Sequence, residues 1–262
     1  SSYINAFNSL KSAWLNDYPN IEKFYIFQTR DCDCGTSSEG RLKIKEAQRL
    51  LAVNDPSIAI MPTTALTLHN DNCHYPYTNG YETFAKRIYP LVKRDIYGEN
   101  FTQEIDAPMI ISAKLLNPTT LELETDAVTL QLNNTSLNDI QQDYLLTNAS
   151  PATITGIQIS GSKIIFTLSQ YPGFGRSSSI SFIGKNSGAL NNITKSNNLE
   201  LVNFSNLSIQ DLSDNGNPPT AGNPPGNGSE NTDPKIFNIK NNGKITIKAN
   251  ASLNMKGCVL NP

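Results

Sequence analysis

Hydrophobic spacing changes character once along this chain, and the change limits the architectures open to it. Up to Gly98 apolar residues recur at helical spacing between short apolar runs; from Ala107 onward they alternate with polar residues. A period near 3.6 residues buries a stripe of a helix, whereas a period of two buries one face of a strand. The two regions therefore need different layers. In the first, Tyr3, Phe7, Leu10 and Trp14 form a helical stripe within Tyr3 to Tyr18. Phe24 to Gln28 and Ser57 to Met61 read as short buried strands, with a helix over Lys43 to Ala52 between them. Tyr81 to Tyr97 is a further amphipathic helix, with Phe84, Ile88, Leu91 and Val92 on one face and Lys86, Arg87, Lys93 and Arg94 elsewhere. Strand, helix, strand, helix implies a parallel sheet.

In the second region the alternating runs are Ile110 to Lys114, Leu121 to Thr125, Ile154 to Ile159, Lys163 to Leu168 and Ser179 to Ile183. With Asn, Gly, Ser and Pro between them, they predict an antiparallel β-sandwich over residues 99–210. Two roles compete for this module. It binds carbohydrate through exposed aromatics, for which Tyr171, Phe174 and Tyr144 are the candidates, or it packs against the first region and supports it. The sparse aromatics favour support. Residues 211–234 are dominated by Asn, Gly, Pro, Ser and Thr, with Asn217-Pro218-Pro219 and Asn223-Pro224-Pro225 as a near-repeat, and read as a linker. Beyond it, residues 235–262 begin a new strand pattern that stops at Pro262 before a core closes, as the start of a truncated terminal β domain would.

Charge excludes some partners. With 21 basic and 23 acidic residues the formal net charge is −2, and no long basic patch occurs, so neither nucleic acid nor an anionic membrane surface is implied. No apolar run is long enough for a membrane span.

Chemistry concentrates in His69-Asn70-Asp71-Asn72-Cys73-His74-Tyr75, which holds both histidines of the chain. This loop follows the carboxyl end of the second predicted strand, where open α/β sheets place their ligands. An Asp three residues before a His can accept a hydrogen bond from the imidazole Nδ1 and leave Nε2 as a general base. Asp71 and His74 have that spacing. His69 lies two residues before Asp71, a poorer geometry, and reads as a loop residue. The pair is two thirds of a hydrolase triad, but no Gly-x-Ser-x-Gly elbow or comparable Gly-Asp-Ser or Gly-Gln-Ser turn accompanies it. Cys32, Cys34, Cys73, His69 and His74 are the conceivable zinc ligands, yet Cys-x-Cys without a second Cys pair does not match structural zinc spacing. No metal or other cofactor is expected.

A series of blocks runs through the same region: Gln28-Thr29-Arg30, Cys34-Gly35, Lys45-Glu46-Ala47-Gln48-Arg49, Met61-Pro62-Thr63-Thr64, Asp71-Asn72-Cys73-His74-Tyr75, Gly80-Tyr81-Glu82 and Asp95-Ile96-Tyr97-Gly98. In this order they resemble the carboxyl half of a sialate O-acetylesterase-like carbohydrate esterase of the SGNH hydrolase superfamily. The resemblance ends near Gly98. It implies that residues 1–98 are part of an SGNH-type, flavodoxin-like three-layer α/β fold with a parallel sheet, ahead of the β-sandwich. It also implies that His74 is the base and Asp71 its orienting carboxylate. The family's nucleophilic Ser, in a Gly-Gln-Ser block, and its oxyanion-hole Gly and Asn lie upstream of anything in this chain. The expectation is therefore a piece of a longer protein that does not catalyse by itself.

The same resemblance implies a disulfide between Cys34 and Cys73, with Cys32 as rival partner, closing a loop of about 40 residues worth a few kcal/mol in the chain-entropy account. Cys258 and one of the other two cysteines are then left over. A disulfide implies export, so the protein is expected to be secreted or at the cell surface. An esterase followed by a linker and a small terminal β unit also resembles secreted bacterial enzymes whose terminal domain is read by the type IX secretion machinery, a possible partner. The expected activity of the parent protein is Ser-His-Asp hydrolysis of acetyl esters on sialic acid or polysaccharide. The alternatives are a non-catalytic glycan-binding protein and a secreted cargo of a type IX complex.

Overall fold

A computed structural model describes residues 2–29, 38–64, 66, 74–133, 136–149, 151–172, 178–184, 193–195 and 199–212. All of them belong to the first of two units, Ser1–Asn217 and Pro218–Pro262, into which the chain divides. The expected terminal β domain and all but the first two residues of the expected linker lie outside the described residues.

The helical stripe of the amino-terminal segment becomes α1, Ser2–Asp17. It is followed by β1, Phe24–Phe27, α2, Ser38–Asn54, and β2, Ile58–Met61. The two strands pair in parallel, Phe24 opposite Ile58 and Phe27 opposite Met61. Successive strand side chains point to opposite faces, and both faces are covered. Phe24, Ile26 and Ile58 pack with Leu51 of α2 and with Tyr3, Phe7 and Leu15 of α1. Tyr25, Phe27, Ala59 and Met61 pack on the other side with Ile88 and Leu91 of α3, Glu82–Tyr97. A wide turn, Tyr77–Tyr81, leads into α3, and Gly98 closes it in the left-handed conformation with φ 69°. Its N–H and that of Glu99 reach back to the carbonyls of Arg94 and Lys93, satisfying the end of the helix.

Beyond Gly98 the alternating runs become strands. These are β3, Ile110–Asn117; β4, Thr120–Thr125; β5, Leu130–Leu132; β6, Tyr144–Thr147; β7, Ile154–Ser160; β8, Lys163–Leu168; β9, Ser179–Phe182; β10, Ile193–Lys195; and β11, Phe204–Asp211. A short helix, α4, Leu137–Asp143, lies between β5 and β6 and is closed at its start by a capping box of Ser136 and Asp139. Seven strands form one sheet in the order β6-β9-β11-β3-β4-β8-β7, and β5 pairs separately with β10. The sheet is curled. Tyr144 of the edge strand β6 lies 4.9 Å from Phe166 of β8, and Gln141 of α4 donates to the Ile154 carbonyl at 2.6 Å, at the start of the opposite edge strand. Inside the curl Leu115, Leu121, Leu123, Ile164, Phe166, Ile180 and Phe182 exclude solvent completely.

The expectation of a wholly antiparallel sandwich needs one correction. The chain is mixed α/β, and its large sheet is mixed too, because β11 runs parallel to β3 while every other pairing in that sheet is antiparallel. A bulge explains how one strand serves both. The register breaks between Phe204 and Leu207, where Asn206 takes φ 53°, so the early part of β11 pairs with β9 and Ile209–Asp211 with β3. Among the described residues no helix is long and apolar enough to cross a membrane.

Candidate functional site

His74 is exposed and lies on the segment between the carboxyl end of β2 and the turn that opens α3. Asp71, His69, Cys73, Cys34 and Cys32 lie outside the described residues, as do Phe174 and Cys258. The surroundings of His74 can still be built from the residues that hold its segment.

Two braces act on it. The first is a cation. Arg87 of α3 donates Nη1 to the carbonyls of Pro62 and Thr64, both at 3.1 Å, tying the backbone that leaves β2 to the first turns of the helix. Burial lowers the guanidinium's pKa from its ordinary value, and the charges of Glu200 and Tyr75 oppose that shift. An arginine remains protonated regardless, so a partly buried positive charge is committed to two backbone carbonyls.

The second brace is aromatic. Tyr75, next in sequence to His74, stands edge-on to Phe84 at 4.8 Å, and Phe84 stands edge-on to Phe27 of β1 at 4.6 Å. Tyr81 meets Tyr75 at 6.0 Å and Phe84 at 6.0 Å. Such pairs carry about 0.5–1.5 kcal/mol beyond burial and fix ring orientation. The turn Tyr77–Tyr81 is held by Tyr81 N–H donating to the Pro76 carbonyl at 3.0 Å and by Glu82 N–H donating to that of Tyr77. Asn79 takes φ 62°, a left-handed conformation that asparagine tolerates. Gly80 is buried so tightly that a Cβ there would sit 2.8 Å from Tyr75 Cβ.

A polar seam joins the carboxyl ends of β1 and β2 to the segment before β11. Buried Gln28 receives the Asn203 N–H on Oε1 at 2.9 Å and donates Nε2 to the carbonyls of Lys45 and Asn203 at 3.1 and 3.0 Å. Thr64 Oγ1 donates to Asn203 Oδ1 at 3.2 Å. Lys45 Nζ donates to the Ile183 carbonyl at 3.2 Å, and Ser205 N–H to Glu46 Oε2 at 3.0 Å. Gly184, at φ 55°, brings the end of β9 so close that a Cβ would lie 2.9 Å from Thr64 Cγ2. The β-rich region thus grips the backbone from which the His74 segment departs.

Tyr144, a candidate sugar contact in the sequence, does not serve as one. It is 2% exposed, and its ring lies between Phe166 and Phe182. Burial, with the charges of Asp143 and Glu200, pushes its hydroxyl pKa well above the ordinary value. Tyr171 is exposed and donates its hydroxyl to Asp211 at 2.8 Å. Sequence reasoning missed Tyr77 and Tyr81 as exposed aromatics beside His74, and the signal for them was the cluster Tyr75-Pro76-Tyr77-Thr78-Asn79-Gly80-Tyr81. Among the described residues no group of three or more His, Cys, Asp or Glu side chains is arranged to hold a metal ion.

No protein-family model matches this chain, and no curated protein does. Among solved structures it matches the N-terminal part of the bacterial S-layer protein SbsC at 7% identity and a TM-score of 0.25, over 50% of this chain and 26% of that one. A likeness at that level carries no argument about fold or activity.

Proposed function

We propose that this chain is the base-bearing part of a secreted carbohydrate O-acetylesterase of the SGNH type. One observation supports the reading: an exposed histidine in the Asp-x-x-His block follows the carboxyl end of a parallel strand, on a segment braced by a partly buried arginine and an aromatic cluster. On this reading β1 and β2 belong to a larger parallel sheet covered by helices on both faces. A serine supplied by a segment not in this sequence attacks the acetyl carbonyl, and His74 Nε2 takes its proton. Asp71 accepts from Nδ1–H and stabilises the imidazolium. Collapse of the tetrahedral intermediate expels the sugar oxygen, to which His74 returns the proton. Water, deprotonated by the same histidine, then attacks the acyl-serine carbonyl; the C–O bond to serine breaks, acetate leaves, and the imidazolium returns the proton to the serine oxygen.

The test uses the full-length protein containing this chain. His74→Ala should lower acetate release from acetylated carbohydrate by a factor on the order of 10³ or more, since the members of a triad act as a unit. Activity within a few-fold of wild type would remove His74 from the base position, and with it the reading of this chain as the base-bearing part. A second reading is supported by the lack of any Gly-x-Ser-x-Gly or Gly-Gln-Ser turn in the sequence: a protein that binds glycan on the same face without cleaving it. Glycan binding with no acetate release from the full-length protein would favour it.

A further inference from the structure

We infer that the outer edge of β1 receives a further parallel strand, supplied in the full-length protein by the polypeptide that leads into α1. The inference rests on the esterase reading for what that strand brings near His74, and not for the pairing itself.

The edge is the first ground. Phe24 N–H donates to the Ser57 carbonyl at 2.8 Å and Gln28 N–H to the Met61 carbonyl at 2.9 Å. Backbone groups of successive strand residues point to opposite sides, so those of Tyr25 and Phe27 point away from β2. Among the described residues no strand pairs with them there. Parallel sheets covered on both faces are built of more than two strands, and a row of unpaired N–H and C=O groups is a template for another. The flanking helices are the second ground. Each residue turns a helix by about 100°. On α3, Arg87 and Arg94 mark the side toward β2: Arg87 bonds the Pro62 and Thr64 carbonyls, and Arg94 bonds Asp106, with which it lines a cavity beside Ile58 and Ile60. Phe84 and Asp95 face β1, meeting Phe27 and the Tyr25 hydroxyl. Continuing round the helix in the same sense come Ala85, Tyr89 and Ile96, on the outer side of β1, and all three are exposed. On α1, Lys11 reaches Asp55 and Ser57 beside β2, Trp14 stacks on Phe24 at 6.0 Å, and Leu10 lies beyond Trp14 on the side away from Lys11. Leu10 and Trp14 are exposed as well. A strand on this edge would lay one apolar face on each helix.

Handedness selects the occupant. The unit β1, α2, β2 is a parallel crossover whose helix packs on the same face of the strands as α1. Such crossovers are right-handed in nearly all proteins, so successive ones on one face step across a sheet in one direction. The step through α2 goes from β1 to β2. The step through α1 arrives at β1, and therefore departs from the position beyond it. A strand leading into α1 falls on the free edge, parallel to β1. Its carboxyl end lies on the same side of the sheet as those of β1 and β2, two strand spacings or about 10 Å from where the His74 segment departs. That is the side on which open α/β sheets gather the groups of a site.

The experiment follows hydrogen exchange at single amides of the full-length wild-type protein, with Ile26, whose N–H faces β2, as internal reference. Amides held in one ladder open together. Tyr25 and Phe27 should therefore exchange within about tenfold of Ile26, at rates independent of protein concentration. The occupant is then identified by p-benzoylphenylalanine placed at Leu10 or at Ile96 of the full-length protein. Illumination should join both positions to the same peptide, within the polypeptide just ahead of α1 and in the same molecule. Exchange at Tyr25 and Phe27 more than about a hundredfold faster than at Ile26 would overturn the inference, because the edge would then be open. Protection that grows with protein concentration, or a cross-link between molecules, would give the edge to a second copy and overturn it too. So would a cross-link to any other segment, or none. A protected edge in a protein whose His74→Ala variant keeps full activity would sink the esterase reading and leave the strand in place. An open edge in a protein that loses activity with His74→Ala would do the reverse.

Discussion

A phenol buried without a partner is costly, because its hydroxyl gives up water and receives nothing in exchange. The Tyr144 hydroxyl is in that position: it is inaccessible and makes no hydrogen bond among the described residues, while its ring fills the core between Phe166 and Phe182. Tyr144→Phe keeps the ring and removes the unsatisfied oxygen. The expected outcome is neutral to stabilising, up to about 1 kcal/mol, read as a rise of about 2–4 °C in the melting temperature. A fall of several degrees would mean that the hydroxyl has a partner after all. The sequence marked Tyr144 as a sugar contact because an aromatic in a polar stretch looks exposed. Burial depended on the curl of the sheet, which brings β6 over β8 and which no local pattern encodes.

Elements with an unbroken period were legible, and those with an interrupted one were not. The helices α1 and α3 and the strands β1, β2, β3, β4, β7, β8 and β9 follow the spacing of their apolar residues. β11 was missed because its bulge at Asn206 puts Phe204 and Leu207 out of step with a period of two. β5 and β10 are three residues each and α4 seven, too short for periodicity to register. The turn Tyr77–Tyr81 was not read as an element; only Tyr81 fell inside one, as the first residue of the helix expected over Tyr81 to Tyr97. It is nevertheless tightly specified. Gly80→Ala would press a methyl carbon against Tyr75 Cβ and Pro76 Cδ, at 2.8 and 3.0 Å. Relief requires a shift of backbone, so a loss of about 1–3 kcal/mol is expected, with the melting temperature down by about 3–10 °C. An unchanged melting temperature would show that the turn relaxes freely.

At the scale of the molecule, the helical first region and the β-rich second are joined by polar groups whose partners are far apart in sequence, Gln28 and Asn203 being 175 residues distant. That distance hid the seam: His74 and the family blocks were readable locally, whereas the groups that hold their backbone were not. Gln28→Ala would leave the buried Asn203 N–H and carbonyl without the Gln28 side chain, while the Lys45 carbonyl loses its second donor and stays in the ladder of α2. Each of these two losses costs about 1–3 kcal/mol, so the variant should lose about 2–6 kcal/mol and melt about 5–20 °C lower. Thermal unfolding followed by circular dichroism reads the effect, and a shift within a degree would show that the seam contributes little.

The place of β11 has a consequence for how the protein comes into being. The strand nearest the end of the described chain is central in the sheet, between β9 and β3. Synthesis delivers β3, β4, β7 and β8 on one side, and β6 and β9 on the other, before the strand that joins them emerges. Until Phe204–Asp211 arrives, the two half-sheets each present an open edge to whatever lies nearby. Pairing across such sequence distances is slow, and the nascent chain is most open to misassociation in that interval, so it is the last-made strand of this sheet that closes the window.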